Sequence, residues 1–211
     1  MKKFILLFPL ALIAVAFLIG IYLSPVLPSQ MASHWGISGE VNGYVSKNFG
    51  IYFLPVLMLI LYFVFRLLPK IDPYKKNFQE FQGYFDTFIC VIISFLVYIH
   101  LLTLFWNLGY RFNMIQLMSP AMAILFYFAG VLTQNAHRNW FVGIRTPWTL
   151  SSPTVWDKTH KLGGKLFKLT ALFSLLGIVL PQLALYLIMV PVLITTAIVL
   201  VYSYLEYQKE N

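Results

Sequence analysis

Between two long apolar stretches lies Gly143–His160, GIRTPWTLSSPTVWDKTH, which brings one arginine, two tryptophans, two prolines and a histidine into one polar segment. A guanidinium fork presented beside indoles suits a phosphate, a carboxylate or an aromatic partner. The same residues would also serve if Arg145 snorkels to lipid phosphate while Trp140, Trp148 and Trp156 sit at headgroup depth. Pro147 pushes Thr146 out of helical geometry, so Arg145–Trp148 is expected to be extended, with Gly143 making a tight turn just before it.

The remaining candidates for chemistry are sparse. His34, His100, His137 and His160 are scattered over both faces of the membrane, with no HExxH and no cysteine pair, so no metal site and no cofactor are expected. There is no GxSxG and no phosphate-cradling glycine loop, and Asp86 is the one acidic residue near an apolar stretch, so an enzyme is not expected. Were it one, Arg145 would grip phosphate and His137 or His160 would act as general base. His100, deep in an apolar stretch, is either a functional group or a neutral imidazole bonded to a neighbouring helix. The single Cys90 excludes an intramolecular disulfide.

Composition defines the elements that must carry these residues. Of 211 residues, 60% are hydrophobic and 10% charged, and the mean hydropathy is +0.78. No water-soluble core hides so much apolar surface. Crossing a hydrocarbon layer of about 30 Å takes about 20 apolar residues. Six stretches come near that: Phe4–Leu23, Gly50–Leu68, Asp86–Trp106, Met114–Gln134, Lys165–Leu180 and Leu183–Leu205. The expectation is an all-α, polytopic integral membrane protein of six transmembrane helices. Its segments are 1–68, with an external loop 24–49; 69–134, with an amphipathic segment 72–85; and 135–211. Pro9, Pro55, Pro120 and Pro191 fall inside four of the helices and can deform them. The first stretch is too long for a signal peptide core and is read as an anchor.

Basic residues orient this arrangement. Lys2, Lys3, Arg66, Lys70, Lys75, Lys76, Arg138, Arg145, Lys158, Lys161, Lys165, Lys168 and Lys209 fall on one side of a six-span bundle, against Lys47 and Arg111 on the other. The positive-inside rule places both termini in the cytoplasm of a multi-pass cell-membrane protein. The net charge of +8 then faces anionic lipid rather than nucleic acid. Short interfacial helices are expected in the cytoplasmic loops. Asp72 and Pro73 would start one that lays Tyr74, Phe78, Phe81 and Phe85 in the headgroup plane, and Ser152 and Pro153 would start another.

The run Asn139, Gly143, Arg145, Thr146, Pro147, Trp148, Thr149, Leu150, Val155 and Trp156 closely resembles the signature of the SdpI family. The external loop, with Leu27, Pro28, His34, Trp35, Gly39, Gly43, Tyr44, Ser46 and Lys47, resembles the small domain that often precedes that signature. The resemblance implies a bacterial membrane immunity protein that resists a secreted, sporulation-delaying type of toxic peptide. It also implies signal transduction, by holding a small winged-helix repressor at the membrane. His34, Trp35, Tyr44 and Lys47 are then the candidates for toxin contact. Asn139, Arg145, Trp148, Trp156 and His160 are the candidates for the inner partner. The rival readings are a small transporter and a membrane enzyme acting on lipid or peptide.

Overall fold

The computed structural model describes residues 2–37 and 39–210, and for residues 2–4 the backbone alone. The side chains of Lys2 and Lys3, used above for orientation, therefore lie outside the described residues. The chain runs α1 (Lys2–Leu23), β1 (Gln30–Trp35), β2 (Val41–Ser46), α2 (Lys47–Ile71), α3 (Lys75–Asn107), α4 (Met114–Asn135), α5 (Pro147–Ser151), α6 (Pro153–Leu176), a 3-10 turn (Pro181–Leu183) and α7 (Ala184–Gln208). Five segments are long and apolar enough to cross a membrane: Ile5–Leu23, Lys47–Ile71, Lys75–Asn107, Met114–Asn135 and Pro181–Gln208. α6 is not among them, because Asp157, Lys158, Lys161, Lys165 and Lys168 are spread along it.

Three expectations are corrected. The loop 24–49 is not helical or irregular, so the chain is not purely α. β1 and β2 pair antiparallel from Gln30↔Ser46 to Trp35↔Val41, with register irregularities around His34. The side chain of Asn107 at the end of α3 substitutes for a third strand: its Oδ1 accepts from the Ala32 N–H at 2.7 Å and its Nδ2 donates to the Ala32 carbonyl at 3.0 Å. The second correction concerns the segment 72–85, which is no separate interfacial helix but the first turns of a 33-residue α3, about 50 Å long. Nothing between Lys75 and Asn107 interrupts the hydrogen-bond ladder, so propagation continues at one bond per residue. Its Phe face meets protein rather than headgroups. Phe78, Phe81 and Phe85 are buried in a cluster with Leu132, Ala136, Val142 and Trp156, and the Phe78 and Phe81 rings lie 4.6 Å apart. The third correction is that the helix begun at Pro153 runs unbroken to Leu176.

α6 lies antiparallel along α4. At one end the Trp156 indole Nε1 donates to the Ala136 carbonyl at 2.7 Å, and at the other Gln116 Nε2 donates to the Ile178 carbonyl at 2.7 Å. Between these, a Cβ on Gly130 would stand 2.7 Å from the Gly164 carbonyl oxygen. Two glycines therefore set the closest approach of the pair, the small-residue device of helices that pack without a hydrophobic driving force. α3 spans the molecule between its two loop regions: the hairpin docks on Asn107, and Asn77 Nδ2 donates to the Arg138 carbonyl at 2.9 Å beside the segment 136–152.

Candidate functional site

The segment from Ala136 to Ser152 is assembled by side chains that replace backbone partners. Asn139, fully buried, donates from Nδ2 to the carbonyls of His137 and Val142, both at 2.8 Å, and its Oδ1 accepts from the N–H of Phe141 at 2.8 Å and of Val142 at 2.6 Å. One amide thus closes the turn. Asp72, also buried, accepts from the Tyr74 N–H at 2.7 Å and from the Trp140 N–H at 2.9 Å, tying the α2–α3 corner to this loop. Its role as an anchor was missed because its spacing before Pro73 reads as a local cap. Arg138 donates to the Leu150 carbonyl and lies 5.6 Å from the Tyr74 ring centroid.

Gly143 adopts φ 113, as its place before the motif predicts, and a Cβ there would lie 2.3 Å from His160 Nε2. The turn presents the Ile144 N–H to that nitrogen at 3.0 Å. Nε2 is thereby the acceptor, and Nδ1 carries the proton that it donates to the Trp156 carbonyl at 2.8 Å. The imidazole stacks on the Trp156 indole, with centroids 3.9 Å apart. It lies ahead of the apolar stretch 165–180, and burial pushes its pKa down to about 4. His160 therefore serves as a neutral acceptor inside the loop.

Thr146 is extended, φ −95 and ψ 162, as Pro147 requires, but Pro147–Ser151 then forms one helical turn in place of the expected extended run. Proline at the first helical position and a reciprocal cap account for it. Thr146 Oγ1 accepts from the Thr149 N–H at 3.1 Å, and Thr149 Oγ1 accepts from the Thr146 N–H at 2.9 Å. Thr146 also meets Ser203 of α7 at 3.1 Å. The Trp148 ring packs 5.1 Å from that of Tyr204, and Glu206 accepts from Lys158 at 2.7 Å. Loop, α6 and α7 form one body.

The signature residues consequently fall into two sets. Asn139, Thr146, Val155, Trp156 and His160 are buried and hold the shape. Trp156 is corrected from an interfacial indole to a core one. On the outside stand Arg145, with one bond from Nη1 to the Phe141 carbonyl at 3.1 Å, Trp140, which is 48% exposed, exposed Pro147 and partly exposed Trp148. His137 and His160 do not share a site: His137 Nδ1 lies 3.2 Å from Glu80 Oε2, while His160 is held as above.

At the other end of the bundle His34 shares a hydrogen bond with Asn42, Trp35 meets Trp106 edge to face at 5.6 Å, Tyr44 is exposed and Lys47 Nζ donates to the Ser24 carbonyl at 3.0 Å. His34 and Trp35 open onto a groove of about 850 Å³ floored by Phe53, Ile99, Ile115 and Met118. His100 is fully buried among the helices, and neither ring nitrogen has a hydrogen-bond partner among the described residues.

A bundle of apolar helices, with a hairpin capping one end and an Arg-bearing, histidine-locked loop at the other, defines the class: a helical membrane protein with a polar loop region at each end of its bundle. Residues 135–203 match the SdpI/YfhL protein family, and residues 11–59 match a domain of unknown function, DUF1648. The matched residues 135–203 include the signature loop from Asn139 to Trp156, so the chain is similar to the SdpI/YfhL family there. It is 28% identical to Immunity protein SdpI of Bacillus subtilis (strain 168) over 212 residues, covering 100% of this chain and 99% of that protein. No solved structure matches it.

Proposed function

We propose that this protein is a six-span, cell-membrane immunity protein, without enzymatic activity, that protects a bacterium from a secreted toxic peptide and reports the encounter to the cytoplasm. The end-to-end similarity to a protein named for immunity carries this reading. The sixth span is supported by α6 running the full length of α4, from the Ala136 end to the Gln116 end. A cytoplasmic position for both termini is supported by charge. Arg66, Lys70, Lys75, Lys76, Arg138, Arg145, Lys158, Lys161, Lys165, Lys168 and Lys209 gather at the loop end, against Lys47 and Arg111 at the hairpin end.

The toxin meets the outer groove beneath the hairpin, whose polar rim of His34 and Asn42 and apolar floor suit an amphipathic chain. The inner partner, a small winged-helix repressor, meets the exposed set, Arg145, Trp148 and Trp140. Buried Asn139, Trp156 and His160 act by fixing that face. α3 touches both loop regions and couples them.

The test is membrane potential in a toxin-sensitive Gram-positive host after addition of the sporulation-delaying peptide. Potential should hold in cells expressing the protein and collapse in cells without it. Collapse in both would end the immunity reading for this toxin and favour transport.

A further inference from the structure

We propose that the seam between α4 and α6 seats the headgroup of an anionic phospholipid. Lys161, Lys165 and Lys168 fall within about 60° of one another around α6 and span about 10 Å of its axis. The Gly130–Gly164 crossing brings this stripe against α4. There the Lys168 ammonium donates to Gln134 Oε1 at 2.5 Å and stands 5.9 Å from the Tyr127 ring centroid. Gln134 Nε2 donates to the Lys161 carbonyl at 3.5 Å.

Between them α4 and α6 offer these three cations a single carboxylate. α4 contains no acidic residue. Asp157, one turn before Lys161, is the one carboxylate on that stretch of α6. Among the described residues the ion pairs join Arg66 to Asp86, His137 to Glu80, and Lys158 and Lys209 to Glu206, so none reaches the stripe. A neutral amide oxygen is the acceptor α4 offers. Ammonium groups taken to the edge of a low-dielectric layer require an anion, and lipid phosphate is the abundant one at that depth. Beyond Lys168 the same face of α6 continues with exposed Leu169, Leu172 and Leu176, an apolar strip for the acyl chains of the same molecule. A phospholipid satisfies both the charged and the apolar part.

The full-length protein, delipidated in detergent, is titrated with phosphatidylglycerol and with phosphatidylcholine, and bound lipid is read by native mass spectrometry. One phosphatidylglycerol should bind at least tenfold more tightly than phosphatidylcholine. Each single Lys→Gln change should weaken it about fivefold. Replacing all three by Gln should remove the preference, and replacing all three by Arg should keep it. The pair Lys75→Gln and Lys76→Gln, at the same end of the bundle but on α3, should leave it unchanged. Equal binding of the two lipids, full retention in Lys165→Gln, whose side chain is exposed, or equal loss in the α3 pair would each overturn the seat. So would displacement of phosphatidylglycerol by millimolar inorganic phosphate, which would make it a site for free anion.

Discussion

Gly143 and His160 each need the other to be what it is. A side chain at Gly143 would meet both a φ of 113 and the imidazole 2.3 Å away, so Gly143→Ala should destabilise the loop by about 2–4 kcal/mol. Thermal unfolding in detergent, with trypsin cleavage at Arg145 as a local readout, checks this. Acid should act on the same contact. The folded pKa of about 4 lies below the ordinary 6.5, so the unfolded loop binds the proton more readily. Stability from the neutral ring is complete above about pH 6.5 and is lost as pH falls towards 4. Hydrogen exchange of the Ile144 N–H, normalised at each pH to an unstructured peptide, should accelerate across that window in the wild type. In His160→Gln it should be fast and flat, and a flat wild-type profile would show that the imidazole is not the lock. Arg145 belongs to the other set: with one backbone bond and an exposed head, Arg145→Ala should leave the melting temperature within about 1 °C and cost only partner binding.

The helices divide by what meets their glycines. At Gly164 a Cβ would stand 2.6 Å from the Gly130 carbonyl oxygen, whereas at Gly163 the obstacle is the far end of the Ile144 side chain and at Gly83 nothing lies within 4 Å. Gly164→Ala should therefore cost about 1–3 kcal/mol, Gly163→Ala clearly less, and Gly83→Ala should stabilise α3 by about 0.5–1 kcal/mol. The last outcome also tests whether α3 is continuous, since a hinge at Gly83 would lose rather than gain from alanine. The helix positions were legible in the sequence because length and apolarity are what a membrane demands of a span. The faces were not. Phe78, Phe81 and Phe85 read the same whether they meet lipid or Trp156, because both are apolar. The six residues of β1, with an irregular register at His34, are too few to show a period of two. In the signature loop the turn at Gly143 and the extended Thr146 follow from residue type. The bonds of buried Asp72 to the Trp140 N–H and of buried His160 to the Ile144 N–H join residues 68 and 16 positions apart, and no local pattern reports them.

At the scale of the whole molecule the two loop regions lie at opposite ends, and α3 binds each of them through one asparagine side chain. It holds the hairpin through Asn107 and the signature loop through Asn77. A ligand at the hairpin can alter the far loop only by binding one arrangement of this connection more tightly than another. Removing the outer clasp should then separate recognition from reporting. In Asn107→Ala the hairpin loses both hydrogen bonds to Ala32, while the groove floor of Phe53, Ile99, Ile115 and Met118 remains. The expected result, at equal membrane abundance, is a toxin-induced reporter reduced at least tenfold with part of the protection of membrane potential retained. Arg145→Ala should abolish the reporter with protection intact, because its change lies beyond the coupling element. Met118→Trp, which fills the groove, should lose both. If Asn107→Ala reports as well as the wild type, α3 is not the connection, and the signal must pass through α2, α4 or α7, which also reach both ends of the bundle.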